Sequence, residues 1–233
     1  MMKRKLSISG LVILIIFLAL LGSYKLMNSR SFQLFGGLTQ QVETDQKLVA
    51  LTFDDGPTEN VNDILPLLDK YDVKATFFLI GQDIEKYQEE AKKIAEAGHQ
   101  VGNHTYSHNR MIFKSPSYIK EEIEKTDELI REAGYEGEID FRPPNSKKLV
   151  GLPYYLYKQK KDTITMNIEP DTFYTETEDR IQYVKEQIIP GSIILMHPMY
   201  EDSDKVLAEI EGIIQSLKDE GYRFVTVNEL QGM

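Results

Sequence analysis

Two stretches of this chain hold residue types that can do chemistry together. Residues 51–57 read Leu-Thr-Phe-Asp-Asp-Gly-Pro, so Asp54 and Asp55 stand side by side just before a Gly-Pro break. Adjacent carboxylates repel, and placing both at one strand end is costly unless a cation or a division of labour compensates. A metal ion offers both: one carboxylate binds it and the other is left to handle protons. Taken alone, an Asp-Asp-Gly-Pro run is more often a solvated turn than a site. The second stretch, His104-Thr105-Tyr106-Ser107-His108, sets two imidazoles four residues apart, which on a helical turn share one face and can bind one ion. A His pair is ordinarily a surface or capping feature, but only four His exist in the chain and two of them stand here. Two His and one of the two Asp make three protein ligands with a position left for water, the donor set of a hydrolytic zinc site.

Three further polar residues complete a hydrolytic set. His197 follows an apolar run, precedes Pro198, and is the acid available outside the metal pair. Glu169 is placed to hold its imidazole in the useful tautomer, and Arg142 to orient whichever aspartate is the base. Read singly, Arg142 is an ordinary ion pair and Glu169 a solvated charge. His99 stands before a strand and reads as structural. A free carboxylate to take a proton from water and an imidazole to protonate a leaving group fit hydrolysis of an amide or ester.

The elements that must position these groups begin well inside the chain. Of 233 residues, 41% are hydrophobic and 27% charged, enough for one large domain or two small ones. A net charge of −10 argues against nucleic acid as a partner, because phosphate neutralisation needs a basic patch. The absence of Cys excludes disulfides, thiolate zinc sites, thiol catalysis and lipoprotein anchoring. Lys3, Arg4 and Lys5 precede a charge-free run over residues 6–24, which as a helix spans about 28 Å, the thickness of a bilayer core. Residues 1–5 are therefore expected as a cytoplasmic stub and 6–24 as a transmembrane signal-anchor, with the remainder outside the cell membrane. A cleaved signal peptide is the competing reading, although residues 19–23 make a poor cleavage site. Residues 25–46, without clear periodicity, read as a linker, and 47–233 as the working domain.

That domain alternates. Strand patterns at 47–53, 74–80, 100–103, 139–142, 163–168, 192–196 and 222–227 are separated by helical stripes, the longest at 83–97, 115–133 and 203–220. Seven strands with helical crossovers predict an α/β barrel or near-barrel with a parallel sheet buried on both faces. An open doubly wound sheet is the alternative, without a Gly-rich phosphate loop after the first strand to support it. The unusual polar residues all follow strand ends: Asp54 and Asp55 the first, His104 and His108 the third, Arg142 the fourth, Glu169 the fifth, His197 the sixth. In a parallel barrel those ends converge on one mouth.

These motifs resemble the polysaccharide deacetylase family, carbohydrate esterase family four, which shares the NodB-homology domain. Residues 52–57 and 104–108 match the family's first two motifs in full, and the resemblance covers about 47–230. It implies a distorted (β/α)7 barrel in which Asp54 is the base, and Asp55, His104 and His108 bind one divalent metal, zinc first, with cobalt or a similar ion able to substitute. It implies His197 as the acid in Leu195-Met196-His197, with Leu195 lining the acetyl pocket. Phe141-Arg142-Pro143-Pro144 matches, but Asn145-Ser146 stands where an aromatic residue and Gly are usual. The usual Asp-x-x-Asp-Trp is aligned with Glu169-Pro170-Asp171-Thr172-Phe173. Pro144, Asn145, Phe173 and Leu195 are accordingly expected to contact substrate, Asn145 through its backbone N–H. The implied activity is removal of N-acetyl groups from N-acetylglucosamine units of a wall polysaccharide, peptidoglycan or a chitin-like oligomer, by a membrane-attached chain with the monomer favoured. Two alternatives stand beside it: a glycan-binding homologue that no longer turns over, and a deacetylase of O-acetyl esters or another small amide.

Overall fold

The computed structural model describes the backbone of residues 2–233 and side chains from residue 8 onward. Met1 and the side chains of Lys3, Arg4 and Lys5, on which the cytoplasmic stub rests, lie outside the described residues. Helix α1 (Met2–Asn28) contains Ile8–Asn28, 21 residues of mean hydropathy 2.2 with none of the apolar window buried, long and apolar enough to cross a membrane. Strand β1 (Leu38–Thr39) follows, then β2 (Leu48–Asp54) and α2 (Val61–Lys70). Next come β3 (Thr76–Leu79), α3 (Gly81–Lys86), α4 (Gln88–Glu96), β4 (Gln100–Asn103) and α5 (Pro116–Glu132). The second half runs α6 (Gly151–Gln159), β5 (Thr163–Ile164), α7 (Thr177–Gln187), β6 (Ser192–Met196), α8 (Ser203–Asp219), β7 (Arg223–Val225) and α9 (Val227–Gln231).

Strand β2 is the hub. It pairs in parallel with β6 from Val49 to Phe53, while β7 covers Leu48–Ala50 and β3 covers Thr52–Asp54. β3 in turn pairs with β4. Single bridges then carry the ring round: Asn103 to Phe141, Phe141 to Thr163, and Ile168 to Ile194 of β6. The result is a ring of parallel strands in which two of seven expected strands are thinned. At 139–142 only Phe141 bridges, because Pro143 and Pro144 follow at once and lack the N–H a ladder needs. At 163–168 the ladder is Thr163–Ile164 with a single bridge at Ile168, and between them the Thr165 carbonyl accepts from Arg142 Nη2 at 3.2 Å.

The period-2 geometry of β2 sorts its residues. Val49, Leu51 and Phe53 pack outward against α2 and α8, through Ile64, Leu68, Ile210 and Ile214. Leu48 and Ala50 face the ring interior with Ile164, Met166, Ile193 and Leu195. Thr52 and Asp54 continue that inner face, so the same alternation that buries the strand aims Asp54 into the barrel. The helical stripe expected at 83–97 is two helices, broken at Tyr87, whose φ/ψ of −125°/54° leave the helical region.

Residues 25–46 do not hold the domain at a distance. Leu38 and Thr39 add a parallel strand to Thr163 and Ile164, Gln41 bridges Ser192, and Gln33 is buried. By Val42, whose N–H donates to the Gly191 carbonyl at 2.9 Å, this stem has reached the end of β6 opposite His197.

Candidate active site

Asp54 is 3% exposed and its two oxygens are separately engaged. Oδ1 accepts from Arg142 Nη1 at 2.6 Å, and Oδ2 stands 3.5 Å from His104 Nε2. Burial pushes its carboxyl up, but Arg142, His104 and His197, together with the Arg142 hydrogen bond, outweigh burial and hold it below the usual carboxylate range. Asp54 is thus kept ionised. Arg142 is itself fully buried. Its Nη1 also donates to Thr52 Oγ1 at 2.8 Å, and its guanidinium lies over the Phe78 ring, 4.0 Å from the centroid. Phe78 can take that place because its β4 neighbour is Gly102, where an added Cβ would stand 2.4 Å from the ring.

Asp55, His104 and His108 converge. Asp55 Oδ1 lies 3.7 Å from His104 Nε2 and 3.4 Å from His108 Nε2, and it is a buried oxygen without a hydrogen-bond partner. An orphaned carboxylate oxygen facing two imidazole nitrogens is the donor set of a divalent cation. His104 Nδ1 donates to the Arg142 carbonyl at 2.8 Å, which leaves the Nε2 lone pair for the site. Burial pushes His104 down, against the pull of Asp54 and Asp55, and favours the neutral form a metal requires. The residues therefore fit one divalent ion.

The two histidines meet through a loop, not the helical turn their spacing predicts. Thr105 and His108 have φ of 68° and 55°, and Asp55 opposite has 73°, the sparsely populated left-handed region. Side chains from β4 and α5 hold this loop. Asn103 Oδ1 accepts from the Thr105 N–H at 2.8 Å. Glu122, 5% exposed, accepts from the N–H groups of Tyr106 at 3.1 Å and Ser107 at 2.9 Å and from Ser107 Oγ at 2.7 Å. Glu122 was not singled out from sequence, where it is one of many acidic residues on an amphipathic helix.

Across the site, His197 follows β6 and its Nδ1 donates to Asp171 Oδ2 at 2.6 Å. The partner is Asp171, not Glu169. Pro170 opens a tight 3-10 turn after Glu169, and that turn swings Asp171 under the imidazole while Glu169 ion-pairs with Arg30 from the stem. Burial lowers the His197 pKa, but the Asp171 bond and the charges of Asp54, Asp171 and Asp55 push it up to about 9.

A cavity of about 380 Å³ joins these groups, lined by Asp54, His104, His108, His197, Leu195 and Asn145 among others. Arg30, Lys147 and Glu169 complete its rim. Of the four expected substrate contacts, Leu195 and Asn145 line it. Asn145 adopts φ 53°, which Asn tolerates, and its Oδ1 accepts from Arg110 Nε at 3.0 Å. Pro144 is buried behind the wall, and Phe173 is 62% exposed, stacked on Tyr183 at 5.3 Å and away from the cavity. The carboxylate that faces His197 stands two residues after the expected Glu169.

The family model described as polysaccharide deacetylase matches residues 41–161. The chain belongs to the polysaccharide deacetylase family. A peptidoglycan-N-acetylglucosamine deacetylase of Bacillus cereus is 38% identical over 184 residues, 77% of this chain and 66% of the relative. The peptidoglycan-N-acetylmuramic acid deacetylase PdaC of Bacillus subtilis is 34% identical over 196 residues, 82% of this chain. The chain spans 40% of PdaC and 31% of a bifunctional xylanase/deacetylase from Pseudobutyrivibrio xylanivorans. Among solved structures, the Bc1960 peptidoglycan N-acetylglucosamine deacetylase superposes with a TM-score of 0.77 at 31% identity, covering 83% of this chain and 92% of that one. BA3943 of Bacillus anthracis, described as a pseudoenzyme of the family, superposes with a TM-score of 0.76 at 30% identity, covering 84% and 69%.

Proposed function

We propose that this chain is a metal-dependent hydrolase that removes N-acetyl groups from N-acetylglucosamine units of a wall polysaccharide and releases acetate. The observation that carries it is one cavity lined by Asp54, His104, His108 and His197, with Asp55 completing a donor set with the two imidazoles and Asp171 bonded to His197. A divalent cation on the three donors, zinc by the chemistry of two imidazoles and a carboxylate, supplies Lewis acidity for the acetyl carbonyl. Asp54, held anionic by Arg142, takes a proton from the attacking water. The backbone N–H of Asn145 serves the tetrahedral oxyanion, and Leu195 packs on the acetyl methyl. His197, kept protonated by Asp171, gives its proton to the glucosamine nitrogen as the C–N bond breaks, and the amine leaves as acetate forms. Helix α1 holds the chain in the cell membrane with the barrel outside, by its length and apolar composition.

The test is acetate release by the full-length protein from acetylated chitooligosaccharides and from peptidoglycan, as purified, after chelation, and after zinc is returned. Release that is lost with chelator and restored by zinc is expected. Asp54→Asn is expected to abolish turnover while zinc stays bound, and full activity in that variant would remove Asp54 as base. The likeness to a pseudoenzyme, with an Asn where the family has an aromatic wall residue, favours one second reading: a wall-glycan-binding protein. Glycan binding without acetate release by the zinc-loaded protein would select it.

A further inference from the structure

Two stretches of the chain differ from the rest in charge. Residues 25–42 contain two Lys or Arg and residues 147–161 contain five, and neither contains an Asp or Glu, in a chain of net charge −10. The fold brings these stretches together at the mouth of the barrel. The Lys148 N–H donates to the Met27 carbonyl at 3.4 Å, the Lys148 ammonium to the Ser29 carbonyl, and the Lys147 ammonium to Asn28 Oδ1. The Phe35 ring meets Tyr154 of α6 edge-on at 5.4 Å, and the Gly36 backbone lies against Tyr157. The end of α1 is therefore fastened to the loop that walls the catalytic cavity.

The surface made in this way is apolar and aromatic as well as basic. Phe32, Leu34, Phe35, Tyr154 and Tyr157 are each 37–56% exposed, and the Phe35–Tyr154 contact joins the two stretches. Tyr154, Tyr157 and Lys158 fall on one side of α6, opposite the buried Leu152 and Leu156. Lys25, Lys158 and Lys160, in the same two stretches, are also exposed. Aromatic rings with a polar tip, flanked by Lys and set directly beyond a 21-residue apolar helix, have the composition of a membrane interface. Lysines near a bilayer surface are attracted by anionic headgroups.

We propose that the face formed by residues 32–35 and the outer side of α6 rests on the headgroup layer of the membrane that α1 enters, with anionic phospholipid as its partner. This rests on the anchored deacetylase proposed above. The catalytic cavity, whose rim includes Arg30 and Lys147, is then held at the bilayer surface, and the glycan it meets is one that lies along the membrane.

The chain has no Trp, so a single introduced indole reports its own surroundings. Full-length Phe35→Trp and Tyr154→Trp variants are reconstituted in vesicles of phosphatidylcholine and phosphatidylglycerol that carry bromine-labelled acyl chains. Ile189→Trp is the control, at an exposed residue just before β6 and so at the end of the barrel away from His197. Blue-shifted emission and at least twofold quenching at positions 35 and 154, with neither at 189, are expected. Lys158→Glu with Lys160→Glu is expected to weaken the quenching at 154. Solvent-like, unquenched emission at both 35 and 154 in protein that floats with the vesicles would overturn the docked face and leave the anchor standing. Protein that does not float would overturn both. Acetate release measured on the same samples keeps the deacetylase reading separate from either result.

Discussion

At the residue scale, the carboxylate under His197 is the assignment most open to direct test. Asp171 raises the His197 pKa to about 9, so the imidazole keeps its proton through neutral pH and loses it as pH rises beyond that value. Asp171→Asn is expected to cut kcat by about 10²–10⁴-fold, the usual worth of a positioned acid, and to move the alkaline limb of the kcat profile to lower pH. Glu169→Gln, which removes the Arg30 pair instead, is expected to leave that limb in place. Asp140 offers a stability test that spares the site. It is 2% exposed, and burial pushes its carboxyl up to about 7. Between the ordinary carboxylate value and about 7 the folded protein holds a proton that the unfolded chain has released, so stability falls as pH rises through that window. Asp140→Asn keeps an acceptor for Gln100 and removes this dependence. Its Tm advantage over wild type is expected to be near zero at pH 4 and to grow up to pH 8. Thermal melts across that range check it, and a constant difference would mean that Asp140 is not the titrating group.

At the element scale, the site depends on α5 and β4 as much as on the strand ends. Glu122 accepts three hydrogen bonds from the loop between His104 and His108, and a loop with Thr105 and His108 in the left-handed region needs such support. Glu122→Gln is expected to weaken zinc affinity about 10–100-fold, as loss of an outer partner of a metal ligand does, with the fold retained by circular dichroism. Gly102→Ala pushes on Phe78 and, through it, on Arg142, so it is expected to lower kcat more than KM even though residue 102 touches no substrate. The adjacent Asp pair, the His-x-x-x-His spacing and the apolar strands were legible from sequence, because strand period and strand-end position are local properties. The Asp171 contact and the Glu122 support were not. One depends on where a 3-10 turn swings a side chain, the other on how α5 lies over the loop, and neither leaves a local pattern. The fourth and fifth strands were readable as segments, but not that Arg142 and the stem claim their backbone groups.

For the whole molecule, the stem is part of the domain and not a spacer. A fragment beginning at residue 46 lacks β1, the Gln41 bridge and the Arg30–Glu169 pair, and leaves the edge of β5 bare. It is expected to melt several degrees lower than a fragment beginning at residue 29 and to aggregate sooner on heating, as calorimetry and light scattering would record. The pairing of β2 also governs the order in which the molecule comes into being. Asp54 and Asp55 lie at the end of a strand that is synthesised early, yet one whole edge of it waits for Ser192–Met196, and part of the other for Arg223–Val225 near the last residue. Contacts this distant in sequence form late and slowly. Until they do, seven consecutive buried residues of β2 stand uncovered, a stretch that a nascent chain must shield from other chains. His197 directly follows the strand that covers this edge, so the pairing that buries β2 also brings the imidazole to the site.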